Sequence, residues 1–97
     1  MLNEKIAKLL NTQINKEFYS AYLYLHFANF YVEQGLNGFA NWYQIQAQEE
    51  RDHAMLFVQY LQNNGEKVTL EAIAKPDVEL TSAKVVLEEG LKHEQYV

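Results

Sequence analysis

Cysteine is absent from the 97 residues, which excludes disulfides, zinc–thiolate sites and iron–sulfur clusters. Proline occurs once, at Pro76, and glycine four times, so little interrupts long regular elements. Basic runs are missing too. Eight Lys and Arg against 13 Asp and Glu leave a net charge of −5, and no cationic stripe is available to neutralise phosphates. That disfavours nucleic acid as a partner. The richest apolar run, Phe18 to Val32, is broken by Ser20, His26 and Asn29 and is too short to span a bilayer. Met1 to Ile6 holds no apolar core of a signal peptide. The expectation is one small domain over residues 1–97, in the cytoplasm, away from membrane.

What is present is helical. Hydrophobic residues make up 48% of the chain and recur at three- and four-residue steps. The first helix is expected from Asn3 or Glu4 to Glu33, with a stripe of Ile6, Leu10, Gln13/Ile14, Glu17, Ala21, Tyr24, Phe27/Ala28 and Tyr31. Phe18, Tyr19, Tyr22, Leu25 and Phe30 lie beside that stripe, which suggests a second buried face against another subunit. Gln34 to Gly38 reads as a tight turn, so the second helix, Phe39 to Asn63, should run antiparallel to the first. Asn64-Gly65 closes it. Residues Glu66 to Thr81 have no sustained period, although Leu70 to Ala74 could form a short turn of helix. A stretch this long is well used as a crossover along the helix pair. Ser82 is the expected N-cap of a third helix with the stripe Ala83, Val86/Leu87, Leu91, Glu94 and Val97. That helix is expected to be cut in mid-pattern at Val97. The fold class is all-α, a four-helix bundle represented by helices one, two and the start of three.

Glutamates interrupt all three stripes: Glu17, Glu50 and Glu94. Glu50 is followed at i+3 by His53, on the same face. Buried carboxylates are costly unless paired, hydrogen-bonded or metal-bound. Heights decide whether they meet. Measured from the turn end, Glu50 and Glu94 each lie roughly 17 Å along their helices, His53 about 21 Å and Glu17 roughly 24 Å. Three carboxylates and an imidazole at one level would repel or protonate if left alone, and a metal ion resolves the conflict. Oxygen-rich ligation with one imidazole suits iron or manganese. Tyr24, two turns past Glu17, reads as a core tyrosine with a satisfied hydroxyl, and Glu49, on the flank, as a solvated side chain. His26 is expected at the surface or an interface, and His93 should point away from Glu94.

The residues resemble the non-haem bacterial ferritins along the whole chain. The resemblance rests on Asn11-x-x-Ile14-x-x-Glu17-x-Tyr19-Ser20, on Tyr22-Leu23-Tyr24 and Gly38-Phe39-Ala40, and on Ala47-Gln48-Glu49-Glu50-x-x-His53-Ala54. Gly65 and Lys92-His93-Glu94 complete it. It implies a ferritin-like bundle and ferroxidase chemistry: Fe(II) oxidised by dioxygen or hydrogen peroxide at a di-iron centre and stored as ferric mineral in a homo-oligomeric cage. It implies that Glu17, Glu50 and His53 hold a first iron, that Glu50 bridges, and that Glu94 serves the second. Glu49 would help hold a third iron, and Tyr24 would stand beside the centre. In this family a fourth helix carries the remaining ligands.

Two other readings stay open. A haem-containing bacterioferritin-like protein would place a methionine directly after the glutamate of Glu-x-x-His, where this chain has Arg51, so no haem is expected. A non-catalytic helical interaction module would salt-bridge its acidic seam and dock a partner on its aromatic helix.

Overall fold

Two glycines at positive φ, Gly35 at 74° and Gly65 at 70°, end the two long helices. The computed structural model describes residues 3–96; Val97, which the expected third stripe included, lies outside the described residues. α1 runs Glu4–Glu33, α2 Asn37–Asn63 and α3 Ala83–Tyr96, with no strand among the described residues. Asn3 caps α1 through its side chain, which accepts from the Lys5 N–H. At the far end the Gly35 N–H bonds the Val32 carbonyl and the Leu36 N–H the Tyr31 carbonyl. The same pair recurs after α2, from Gly65 to Gln62 and from Glu66 to Leu61. Both are Schellman motifs, which need the left-handed residue that glycine supplies without strain.

The turn is tighter than expected. α2 begins at Asn37, and Asn37 and Gly38 fall in its first turn. Leu36 leaves the first motif and, as the residue preceding α2, accepts from the Ala40 N–H. A connection this short forces α1 and α2 into an antiparallel hairpin.

Residues 66–81 form neither helix nor strand, with no helical turn at 70–74. They are held along α1 by side chains that periodicity alone does not single out. The Asn11 amide donates to the Lys67 carbonyl and accepts from the Thr69 N–H. Asn15 donates to the Ala72 carbonyl, His26 Nε2 to the Val78 carbonyl and the Tyr31 hydroxyl to the Ala83 carbonyl. A segment outside helix and strand lacks a regular ladder for its backbone groups, and α1 supplies partners for several of them. His26 is therefore half-buried under the crossover rather than a surface residue. Tyr19 and Phe30 are partly buried, and like Val78 and Leu80 of the crossover they pack against the buried cluster around Tyr24 and Phe27. Tyr22 and Leu25 remain exposed.

Ser82 caps α3, its Oγ accepting from the Val85 N–H. The seam of α3 is Ala83, Val86 and Gly90, and not the expected Leu87 and Leu91, which are both exposed. α3 has two apolar faces, and the one at 83, 86 and 90 sits on α1 and α2. A Cβ on Gly90 would stand 2.5 Å from the Tyr43 hydroxyl. Tyr43 fills that space because it is boxed by Tyr24, Phe27 and Tyr31 at centroid distances of 5.7, 5.3 and 5.7 Å.

Candidate metal centre

Glu17 reaches the centre from the middle of α1, and Glu50 and His53 reach it from the middle of α2. The hairpin brings these levels together as the heights required. One donor atom from each of the three lies within 4.8 Å of the others. His53 Nδ1 is 3.7 Å from Glu17 Oε2 and 3.5 Å from Glu50 Oε2. Two donors each about 2.1 Å from one ion can stand at most about 4.2 Å apart. The two imidazole–carboxylate pairs meet that limit. Glu17 and Glu50 are largely enclosed, whereas about half of the His53 side chain is open, at 53% exposure.

The electrostatics point the same way. Burial first, and the neighbouring Glu17 carboxylate second, push the Glu50 carboxyl up to about 8, with Glu94 and Glu49 adding to the push. Glu17 Oε1 accepts from Gln13 Nε2 at 3.0 Å. Its Oε2 is buried with no hydrogen-bond partner. A buried carboxylate oxygen without a donor is an expensive arrangement that a cation would relieve. Two carboxylates and one imidazole form a borderline-hard donor set that fits a divalent first-row metal ion.

Glu94 lies at the edge of this group. Its carboxylate accepts from the Tyr24 hydroxyl, and its charge raises Glu50. Tyr24 is buried, and burial followed by the Glu94 contact holds its hydroxyl well above the usual phenol range, so it stays a donor. Tyr24 thus has the satisfied hydroxyl anticipated for a core tyrosine, and its partner is a seam glutamate. Glu49 is exposed, and within the described residues it is not drawn into the triad.

Three neighbours have contacts at the centre that the sequence does not assign to them. Gln13 is four residues before Glu17, a spacing that puts amide and carboxylate on one face. Ser20 is fully buried and donates to the Lys16 carbonyl at 2.9 Å. Its oxygen also shares a hydrogen bond with His93 Nε2 at 2.7 Å. Burial keeps His93 below its usual range. Tyr43 is the third, raised to about 12 chiefly by burial.

An antiparallel hairpin, a lengthwise crossover and a Glu/Glu-x-x-His centre at mid-height define a ferritin-like bundle. The family model described as a ferritin-like domain matches residues 7–97, and the chain belongs to that family. It is 40% identical over its full length to a bacterial non-heme ferritin of Staphylococcus saprophyticus and 37% identical to one of Campylobacter jejuni, and in each case spans 58% of the relative. Among solved structures it is similar to an open pore ferritin of the hyperthermophilic archaeon Archaeoglobus fulgidus, with 41% identity and a TM-score of 0.92. A Chlorobium tepidum ferritin has 32% identity and a TM-score of 0.93. Each alignment covers 99% of this chain and 59% of the other. The chain thus spans a little over half the length of the proteins it matches.

Proposed function

We propose that the chain takes part in iron storage and that Glu17, Glu50 and His53 bind Fe(II) as the first step of ferroxidase chemistry. The observation that carries this is the buried, partnerless Oε2 of Glu17 facing Glu50 and His53. Two Fe(II) ions supply the two electrons that reduce one dioxygen to peroxide, and the ferric product is deposited as mineral. In this reading Glu50 gives up its proton when the ion binds, since ligands must be deprotonated. Glu50 bridges two ions, and Glu94 turns from Tyr24 to serve the second. Tyr24 remains beside the centre and Glu49 holds a third ion at the margin.

The reading includes a homo-oligomeric cage in the cytoplasm, with residues 1–97 forming a ferritin-like domain portion through the start of its third helix. No described helix is long and apolar enough to cross a membrane. The uncovered faces support assembly: Phe39, Trp42, Leu56 and Tyr60 on α2, and Leu87 and Leu91 on α3, are exposed. Rows of this kind call for a covering partner.

Anaerobic Fe(II) titration by calorimetry, followed by admission of air with absorbance monitoring, tests the proposal. Saturable binding that Glu50→Ala abolishes, and a ferric absorbance rise that the same change suppresses, are expected. Equal Fe(II) uptake by wild type and Glu50→Ala would overturn it.

A further inference from the structure

The centre contains a side chain with no part in the reading above. Gln13 lies one helical turn before Glu17, is half-buried, and donates from Nε2 to Glu17 Oε1 at 3.0 Å. The two oxygens of Glu17 are thereby made unequal. Oε1 is tied along α1 to the amide. Oε2 is the oxygen 3.7 Å from His53 Nδ1, and it is the one left without a hydrogen bond. A carboxylate that swings freely can chelate an ion through both oxygens or present one of them. One whose first oxygen is anchored away from the ion presents the second alone.

We propose that Gln13 is a positioning residue that holds Glu17 to one-oxygen ligation and so sets the coordination number and metal preference of the centre. The proposal rests on the reading that Glu17, Glu50 and His53 bind a divalent metal. Its chemistry follows from counting donors. With Glu17 limited to one oxygen, the hairpin offers a compact set that leaves positions open for water or an oxidant. This suits a small first-row ion. Releasing Oε1 adds a donor, crowds those positions, and favours larger, harder ions that accept chelating carboxylates. Neighbours that orient ligands typically change metal affinity by about 10- to 100-fold when removed.

Co(II) and Mn(II) are suitable probes, because neither is oxidised under mild conditions and the visible bands of Co(II) weaken as its coordination number rises. Wild type, Gln13→Leu and Gln13→Glu would be titrated with each ion by calorimetry and, for Co(II), by visible absorption, with thermal unfolding followed by circular dichroism. Gln13→Leu removes the donor and keeps helical propensity. Gln13→Glu removes the donor, keeps the length and adds a charge. Both variants should show a weaker Co(II) band, and the ratio of Mn(II) to Co(II) affinity should rise about tenfold. Only Gln13→Glu should bind both ions more tightly overall, through its charge. A wild-type band and an unchanged affinity ratio in either folded variant would overturn the proposal. A wild type whose Co(II) binding is unaffected by Glu17→Ala would overturn the metal reading and this proposal with it. Wild-type binding that needs Glu17 but ignores Gln13 removes the proposal alone.

Discussion

The Tyr24 hydroxyl donates to the Glu94 carboxylate one turn along α1 from the point where Ser20 is hydrogen-bonded to His93. Two successive residues near the end of α3 are thus gripped by two positions of α1 that are four apart, on one face. This fixes both the height and the rotation of α3. A hydrogen bond to a carboxylate contributes about 1.5 kcal/mol at the low end of its range, which suits the exposed Glu94. Tyr24→Phe should lower the stability of the metal-free protein by about that amount, measured by urea unfolding. A shift well under 0.5 kcal/mol would mean that water replaces the contact at no cost.

Glu50 makes stability depend on pH in a definite direction. Its ordinary value of 4.5 is raised to about 8 in the fold. Between those values the folded chain keeps a proton that the unfolded chain has lost, so unfolding releases it. Glu50's contribution to metal-free stability is therefore fully present below about 4.5 and is lost as pH rises through about 8. Metal binding follows the opposite trend over the same interval, strengthening by about tenfold per pH unit for one displaced proton. Glu50→Gln should flatten the pH dependence of the melting temperature between pH 5 and 8. A variant that keeps the wild-type slope would show that another group carries it.

Asn11 and Asn15 make the crossover measurable. Asn11 contributes one donor and one acceptor to the backbone around Val68, and Asn15 contributes a donor to Ala72. Asn11→Ala deletes both of these crossover hydrogen bonds, at about 1 kcal/mol each, along with a local one to the Ala7 carbonyl, and should destabilise the fold by about 2 kcal/mol or more. The sharper outcome is local. Protease cleavage between Glu66 and Pro76 should accelerate in Asn11→Ala before cleavage in α1 or α2 does, because local opening is cheaper than global unfolding. Cleavage that remains uniform along the chain would argue against the asparagines as its fastening.

Much of this was legible in the sequence, and the rest failed for identifiable physical reasons. Helix periodicity and the glycines at 35 and 65 placed α1, α2 and the hairpin, because a left-handed cap and a 3.6-residue stripe are local properties. The meeting of Glu17, Glu50 and His53 followed from rise per residue alone. The seam of α3 followed only in part: Ala83 and Val86 stood in the expected stripe, but Leu87 and Leu91 make as good a continuation as Gly90, and only the tertiary partners choose between them. Asn11, Asn15 and His26 were invisible as fasteners because the backbone they satisfy lies more than fifty residues away. Gly90 is the extreme case. In a sequence it is a weak point in a helix, and in the structure it is the space in which Tyr43 ends.

That space yields the most discriminating test. Gly90→Ala should gain about 1 kcal/mol from helix propensity. Its Cβ would also stand 2.5 Å from the Tyr43 hydroxyl, and Tyr43 cannot swing aside because Tyr24, Phe27 and Tyr31 enclose its ring. Overpacking of this kind costs about 1–3 kcal/mol. The net for the single variant is a loss of up to about 2 kcal/mol. Tyr43→Phe removes the oxygen, after which the nearest ring atom would be Cζ at 3.4 Å, an ordinary contact. In that background Gly90→Ala should become neutral or stabilising. The two changes would then be coupled by about 1–3 kcal/mol in a double-mutant cycle read by urea unfolding. Additive effects would mean that α3 shifts along the hairpin instead of pressing on Tyr43. The same shift would move Glu94 away from Tyr24, so quenching of tyrosine fluorescence in the two single variants would register it independently.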